Sequence, residues 1–173
     1  MSRADFTFRA AVSADAEALA VFWRDRFRET FAHLYPPADL ARFEASAYVP
    51  AQIAAEIASP DFSHTLAFLQ DRLVGAMKGG AVSLPVANTS GLWELHRLYL
   101  TPDTHGSGLA DALMGAAREA AVAAGNSAMV LGVYCDNERA KRFYTRHGFR
   151  QIGSYHFVVG DTLDDEWIMQ APL

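Results

Sequence analysis

The stretch Trp93–Ala110, WELHRLYLTPDTHGSGLA, constrains the fold more than any other part of the chain. It opens as a strand-like run, turns through Gly106 and Gly108, and feeds at once into an alanine-rich helical run. Glycine lets the backbone turn tightly because it has no Cβ to clash. A helix that starts after such a turn presents unpaired N–H groups and the positive end of its dipole. Strand, glycine-rich turn and helix together predict an anion site, most often one for phosphate. It is not a P-loop, because the loop contains no lysine. It is not a complete dinucleotide fingerprint, because Asp111 stands where the third glycine belongs.

The rest of the chain builds around this unit. Phe6–Ala10 alternates as a half-buried strand. Ser13 is the expected N-cap of a helix reaching about Leu34, with Leu19, Phe22, Trp23, Phe27, Phe31 and Leu34 at core spacing. Those aromatics also suit a pocket wall. Tyr35-Pro36-Pro37 stops that helix. A short helix through Leu40 and Phe43 follows, and then one with Pro50 at its first position and Ile53 and Ile57 facing inward. Thr65–Gln70 and Leu73–Val82 read as a hairpin, and Leu92–Leu100 as the central strand. In the helix from Gly108 to Ala124, residues Leu109, Leu113, Ala117, Ala120 and Ala124 form the expected apolar stripe, with Gly125 at the C-terminal cap. Ala128–Tyr134 is a near-continuous apolar strand, so strand, helix and strand make a parallel crossover. Asn137 caps a helix through Arg146, and Phe149–Val159 and Trp167–Ala171 close the chain as strands. The expectation is an α/β chain with one domain over residues 1–173. Its mixed sheet has about seven strands, with helices on both faces.

Composition narrows the function classes. A length of 173 residues and a hydrophobic fraction of 51% suit one domain with a full core. The net charge of −5 argues against nucleic-acid binding and is compatible with a cationic substrate. The single cysteine, Cys135, rules out an intramolecular disulfide, and no Cys/His cluster has zinc spacing, so no metal is expected. The start MSRADFTFRA lacks the apolar core of a signal peptide, and no apolar run approaches the about 20 residues of a membrane span. The chain reads as soluble and cytoplasmic, with no membrane partner.

A second motif joins the first. Asn137-Glu138-Arg139-Ala140-Lys141-Arg142-Phe143-Tyr144, followed by Gly148-Phe149, resembles the Asn-x-x-Ala-x-x-Phe-Tyr…Gly-Phe run of the GNAT N-acetyltransferase superfamily. His105-Gly106-Ser107-Gly108-Leu109-Ala110 is similar to its Gln/Arg-x-x-Gly-x-Gly/Ala signature, with His105 departing from the usual Gln or Arg. Within the superfamily the chain looks like the bacterial spermidine/spermine-type enzymes. The stretches that carry this likeness are Phe27–Leu40, Leu131–Tyr134 before the Asn-Glu-Arg-Ala run, and His156–Met169.

The resemblance implies a splayed sheet whose opening takes acetyl-CoA as co-substrate. It implies that the pantetheine amides pair with the backbone of Leu98, Tyr99 and Leu100. It also implies that the pyrophosphate meets the N–H groups of Gly106, Ser107, Gly108, Leu109 and Ala110, beside His105. Asn137 would hold the pantetheine arm, cap its helix, or do both. Tyr144 matches the tyrosine that gives a proton to the departing thiolate, and a phenol can do so. Glu94, fourteen residues before Gly108, matches the general-base glutamate of the histone acetyltransferases. A carboxylate in a partly apolar cleft is expected to have a raised pKa, which suits a base near neutral pH. Glu94 could instead bind a cationic substrate or work through a water. His96, on the same strand face by the period-two rule, is a second candidate base. Cys135 has no base beside it in sequence, which favours direct transfer over an acetyl-enzyme. One or two of Arg139, Lys141, Arg142 and Arg146 would reach the 3′-phosphate.

The function these features imply is direct acetyl transfer from acetyl-CoA to a primary amine of a small molecule, a polyamine among the candidates. Glu29, Asp39, Glu44 and Glu94 would supply negative charge. Protein N-terminal or lysine acetylation and a non-catalytic coenzyme-A sensor are the alternatives. The C-terminal strands offer a face for a homodimer, without a residue pattern that fixes it.

Overall fold

Seven strands form one sheet in the order β1-β2-β3-β4-β5-β7-β6. The computed structural model describes residues 6–173, so the first half of the MSRADFTFRA stretch lies outside the described residues. Strand β1 (Phe6–Ala10) pairs with β2 (Phe62–Leu69), which turns at Gln70 into β3 (Arg72–Gly80). The first strand therefore starts three residues and ends one residue earlier than the apolar run suggested, and the second starts one and ends two earlier. The following loop carries Ala81 to Gly91 into β4 (Leu92–Leu100). β4 runs antiparallel to β3 and parallel to β5 (Ala128–Tyr134). β7 (Thr162–Pro172) inserts between β5 and β6 (Arg150–Val159). Helix α4 (Leu109–Ala123) makes the crossover from β4 to β5, and α5 (Glu138–Arg146) follows β5.

The chain enters α1 (Ala16–Phe31) through a 3₁₀ turn at Ser13–Asp15, and Ser13 does not cap it. Asp15 stands at the N-cap position of α1 without a side-chain bond into the helix, and its carboxylate reaches back instead, accepting the Val12 N–H at 2.8 Å and the Arg9 guanidinium at 2.7 Å. α1 tightens into a 3₁₀ turn at Ala32–Leu34 and then stops. The prolines that end it also start the next helix, since Pro37 occupies the first turn of α2 (Pro37–Ala47). Pro50 does the same for α3 (Pro50–Ala58).

Two cores flank the sheet. Leu19, Trp23, Phe27 and Ile53 pack against Leu66, Ala76 and Val159 on one face. On the other, α4 buries Leu109, Leu113, Met114, Ala117 and Ala121 against β3, β4 and β5. Ala124 is exposed and Ala120 only half-buried, contrary to the four-residue stripe. A row spaced strictly by four drifts around a helix of 3.6 residues per turn, so Met114 and Ala121 replace its last members. Among the described residues no helix is long and apolar enough to cross a membrane.

Candidate active site

The site begins where two neighbouring strands part. β4 and β5 pair only at Leu92–Ala128, Trp93–Met129 and Glu94–Val130. Beyond that point β4 stays with β3 out to Leu100, while β5 stays with β7 out to Tyr134. Among the described residues, the edge of β4 away from β3 therefore has no strand beside it at Leu98, Tyr99 and Leu100. The register of β4 on β3 slips between Leu95 and Arg97, leaving His96 as the extra residue of a bulge. Bulges bend and twist a strand, and this one lies at the parting.

A cleft of about 1040 Å³ fills the gap. From one face of the sheet it is lined by the turn at His105, Gly106 and Gly108, the start of α4 at Ala110 and Asp111, and α5 from Asn137 to Arg146. From the other come Phe27, Phe31, Phe43, Tyr48, Tyr155 and Phe157. The aromatics of α1 thus serve both expected purposes: Trp23 is core, and Phe27 and Phe31 wall the cleft. Phe31 meets Tyr134 of β5 edge-on at 6.3 Å.

In the turn, Gly106 and Gly108 take φ of +78° and +86°, a region that favours glycine, and an added Cβ at either would meet nothing within 4 Å. That open space is room for a bulky anion. The N–H of Ser107 donates to the Thr104 carbonyl at 3.2 Å, and the N–H of Leu109 to the Ser107 hydroxyl at 3.3 Å. Leu109 places its side chain in the core. The turn therefore presents Gly106, Gly108 and Ala110 to the cleft, and uses Ser107 and Leu109 to hold itself. The exposed His105 imidazole has its pKa lowered, chiefly by desolvation and then by Arg139.

Asn137 caps α5: its Oδ1 accepts the Ala140 N–H at 3.1 Å. Asn137 also lines the cleft. Of the four basic residues of α5, Lys141 turns away. It pairs with Glu138 at 2.5 Å, donates to the Cys135 carbonyl and lies 4.2 Å over the Trp167 ring. Arg139, Arg142 and Arg146 line the cleft.

Tyr144 stands in the same cleft, wedged between Phe143 and Phe149 at ring separations of 5.4 and 5.8 Å. Its hydroxyl has no hydrogen-bond partner among the described residues. Burial, then the nearby Tyr99 and Glu166, push the phenol pKa upward, so it keeps its proton throughout the working range. Cys135 is not among the cleft residues, and desolvation and Asp136 raise its thiol pKa, which is unsuited to a nucleophilic thiolate.

Glu94 departs from expectation. Burial pushes its pKa upward, but the His96 imidazole and the Ser83 and Leu84 N–H groups outweigh that, and the carboxyl lies below its ordinary range. Oε2 accepts the Ser83 N–H at 2.5 Å, the Leu84 N–H at 3.0 Å and the Ser83 hydroxyl at 3.0 Å. Oε1 faces His96 Nδ1 at 3.0 Å. His96 Nε2 donates to the Ala81 carbonyl at 2.9 Å. Both imidazole nitrogens are therefore engaged, one by a carbonyl and one by a carboxylate.

Three of the expected acidic residues are neutralised locally. Asp39 pairs with Arg42, Glu44 with Arg28, and Glu29 with Arg26, each at 2.5 Å. Asp39 and Glu44 do not line the cleft. Sequence reasoning missed Gly132, Tyr155 and Glu166, which do. Glu166 falls just before the strand expected at Trp167, where the acidic run Asp164-Asp165-Glu166 gives no apolar alternation to mark an earlier start. Among the described residues no group of three metal-ligating side chains is gathered.

Comparison with known proteins agrees with this geometry. An uncharacterized N-acetyltransferase of Mycobacterium tuberculosis is 39% identical over 80 residues, 46% of this chain and 51% of that one. The match thus spans about half the length of that relative. An uncharacterized N-acetyltransferase of Lactobacillus delbrueckii subsp. lactis is 27% identical over 152 residues, 87% of each chain. The PaiA N-acetyltransferase of Thermoplasma acidophilum, solved in complex with coenzyme A, superposes with a TM-score of 0.80 at 21% identity, covering 98% of this chain and 99% of that one. At that identity the likeness speaks for the fold. The family model described as "Acetyltransferase (GNAT) family" matches residues 20–149, three-quarters of the chain, and with the parted strands and the glycine turn this establishes that the chain belongs to the GNAT acetyltransferase family.

Proposed function

We propose that the protein is an acetyl-CoA-dependent N-acetyltransferase that passes its acetyl group directly to a primary amine of a small molecule, a polyamine in the narrower reading. One observation carries it. A single cleft at the parting of β4 and β5 holds a free strand edge, an open glycine turn at a helix N-terminus, and a half-buried, protonated phenol.

Acetyl-CoA supplies the acetyl thioester. The backbone of Leu98, Tyr99 and Leu100 offers amide pairing to an extended arm, as a further strand would. Gly106, Gly108 and Ala110 offer N–H groups to the pyrophosphate, aided by the α4 dipole. Asn137 offers its amide N–H to the arm, and Arg139, Arg142 and Arg146 supply positive charge to the outer phosphate. Tyr144 gives its proton to sulfur as the carbon–sulfur bond breaks. The oxygens of Glu94 are committed, which favours a role in fixing His96 and the Ser83–Leu84 loop and in lending negative charge over one in removing a proton. Aromatic walls beside that charge suit a small cationic acceptor.

The test is coenzyme A release from acetyl-CoA against polyamines, amino acids, aminoglycosides and short peptides, with product masses recorded. Acetylated polyamine as the main product is expected. Equal rates on amines regardless of their charge would remove the polyamine reading, and no product from any amine would remove the enzyme.

A further inference from the structure

One cleft carboxylate has no part in the chemistry above. Glu166 sits on β7 opposite Tyr134, next to the parting strand. Its Oε2 accepts the Tyr155 hydroxyl at 2.5 Å. The pair occupies a space that only glycine leaves on β5. A Cβ on Gly132 would come 2.5 Å from the Tyr155 oxygen and 2.7 Å from Glu166 Oε2, closer than real Cβ contacts.

What Glu166 lacks is equally informative. Glu29, Asp39 and Glu44 each meet an arginine, and Glu94 meets His96. Among the described residues no Lys, Arg or His lies within ion-pair distance of Glu166, although it is partly buried. Its surroundings are phenols and one carboxylate: Tyr155 on β6, Asp164 on β7, Tyr99 on β4, Tyr144 on α5, and Tyr35. A partly buried carboxylate without a cation is costly unless a ligand supplies one. Glu166 and Tyr144 line the same cleft.

We propose that Glu166, held by Tyr155 in the gap that Gly132 leaves, receives the ammonium of the acceptor and removes its proton. The inference rests on the acetyl-transfer reading above. Glu166 takes one proton from the ammonium. The freed nitrogen lone pair forms the bond to the thioester carbon. The carbon–sulfur bond breaks with its electron pair on sulfur, which takes the Tyr144 proton. The new amide nitrogen returns its remaining excess proton to the phenol, and Glu166 releases its own to solvent, one proton per turnover. Glu166 suits this better than Glu94 does. Apart from the Tyr155 bond its oxygens are uncommitted, and burial, with Asp164 nearby, raises its pKa where that of Glu94 is lowered.

The experiment compares wild type, Glu166→Gln and Tyr155→Phe in kcat, KM and the pH profile of kcat/KM on the best acceptor, with acetyl-CoA binding measured by calorimetry. Glu166→Gln is expected to lose about 10²- to 10⁴-fold in kcat, the range for a general base, with acetyl-CoA affinity unchanged. The acidic limb of its profile should vanish. Tyr155→Phe removes a hydrogen bond that favours the carboxylate, so its limb should move to higher pH while activity persists. A Gln variant with wild-type kcat and an unmoved limb overturns the proposal. If that variant does not fold, an unmoved limb in Tyr155→Phe overturns it instead. A wild-type protein that acetylates no amine strikes the acetyl-transfer reading itself and takes this inference with it. Turnover with unaltered limbs in both variants strikes Glu166 alone.

Discussion

At the scale of single residues, the cleft sorts its ionisable groups by what surrounds each one. Tyr144 has aromatic neighbours, negative charge nearby and, among the described residues, no hydrogen bond, so it stays protonated and able to donate. On the proposed reading that donor meets the sulfur as negative charge develops on it. Tyr144→Phe is therefore expected to lower kcat by about 10²-fold or more while leaving the acetyl-CoA dissociation constant within about twofold, since on that reading the hydroxyl acts on the leaving group. Steady-state kinetics alongside calorimetry would show it, and equal turnover in the two proteins would end the role. The identity of this tyrosine was legible because it ends a local run, Asn137 to Tyr144. The direction of the Glu94 shift was not. A partly apolar cleft raises a carboxyl pKa, and nothing in the sequence said that Ser83, Leu84 and His96 would all point donors at it. Those donors come from a loop eleven residues back and from a bulge, and neither leaves a pattern in composition.

Among elements, two helix N-termini frame the cleft by different means. α4 follows Gly108 without a side-chain cap from that residue, and the Gly108 and Ala110 N–H groups stay open while that of Leu109 meets the Ser107 hydroxyl. α5 begins at Asn137 with one. Gly108→Asp should abolish measurable acetyl-CoA binding, because it forces a side chain into a left-handed backbone and puts a negative charge where the pyrophosphate would lie. Unchanged affinity would take the turn out of the site. Asn137 separates into its two roles by a pair of variants. Asn137→Ala loses the cap and is expected to cost about 1 kcal/mol in denaturant unfolding. Asn137→Asp keeps an accepting oxygen and should restore that stability, yet it lacks the amide donor, so KM for acetyl-CoA should stay raised in both. Full recovery of KM by the Asp variant would mean that Asn137 is a cap and nothing more. Both helices were readable in sequence because a glycine turn, a cap and an alanine run are local signals. The strand ends were less so: β7 starts at Thr162, five residues before the apolar run that announced it, because its first half pairs with β6 through polar and acidic residues.

Across the whole molecule, the sheet order decides which carboxylates meet. β7 lies between β5 and β6, and that insertion carries Glu166 to the parting of β4 and β5. No local signal encodes such a pairing, so the fold class could be read from the sequence while this residue could not. The arrangement has a stability consequence with a definite sign. The Glu166 carboxyl is raised on folding, first by desolvation and, more weakly, by Asp164. The folded state therefore binds its proton more tightly than the unfolded state does, and each rise in pH between the two pKa values favours unfolding. Asp103 runs the other way. Its pKa, lowered to about 2 chiefly by Arg72, gives stability above the ordinary carboxylate value that is lost as pH falls toward 2. That contribution is common to wild type and variant and cancels between them. Glu166→Gln removes the unfavourable titration alone. Its melting temperature should match wild type near pH 4, where both side chains are neutral. The difference should then grow in the variant's favour as pH rises, to a plateau of about 2–4 °C if the gain is on the order of 1 kcal/mol. Thermal melts of the two proteins from pH 4 to 8 would measure it. A catalytic carboxylate without a cation should cost stability in the free protein, so a difference that favours wild type at neutral pH would mean that Glu166 is a structural partner of Tyr155 and not a group waiting for an ammonium.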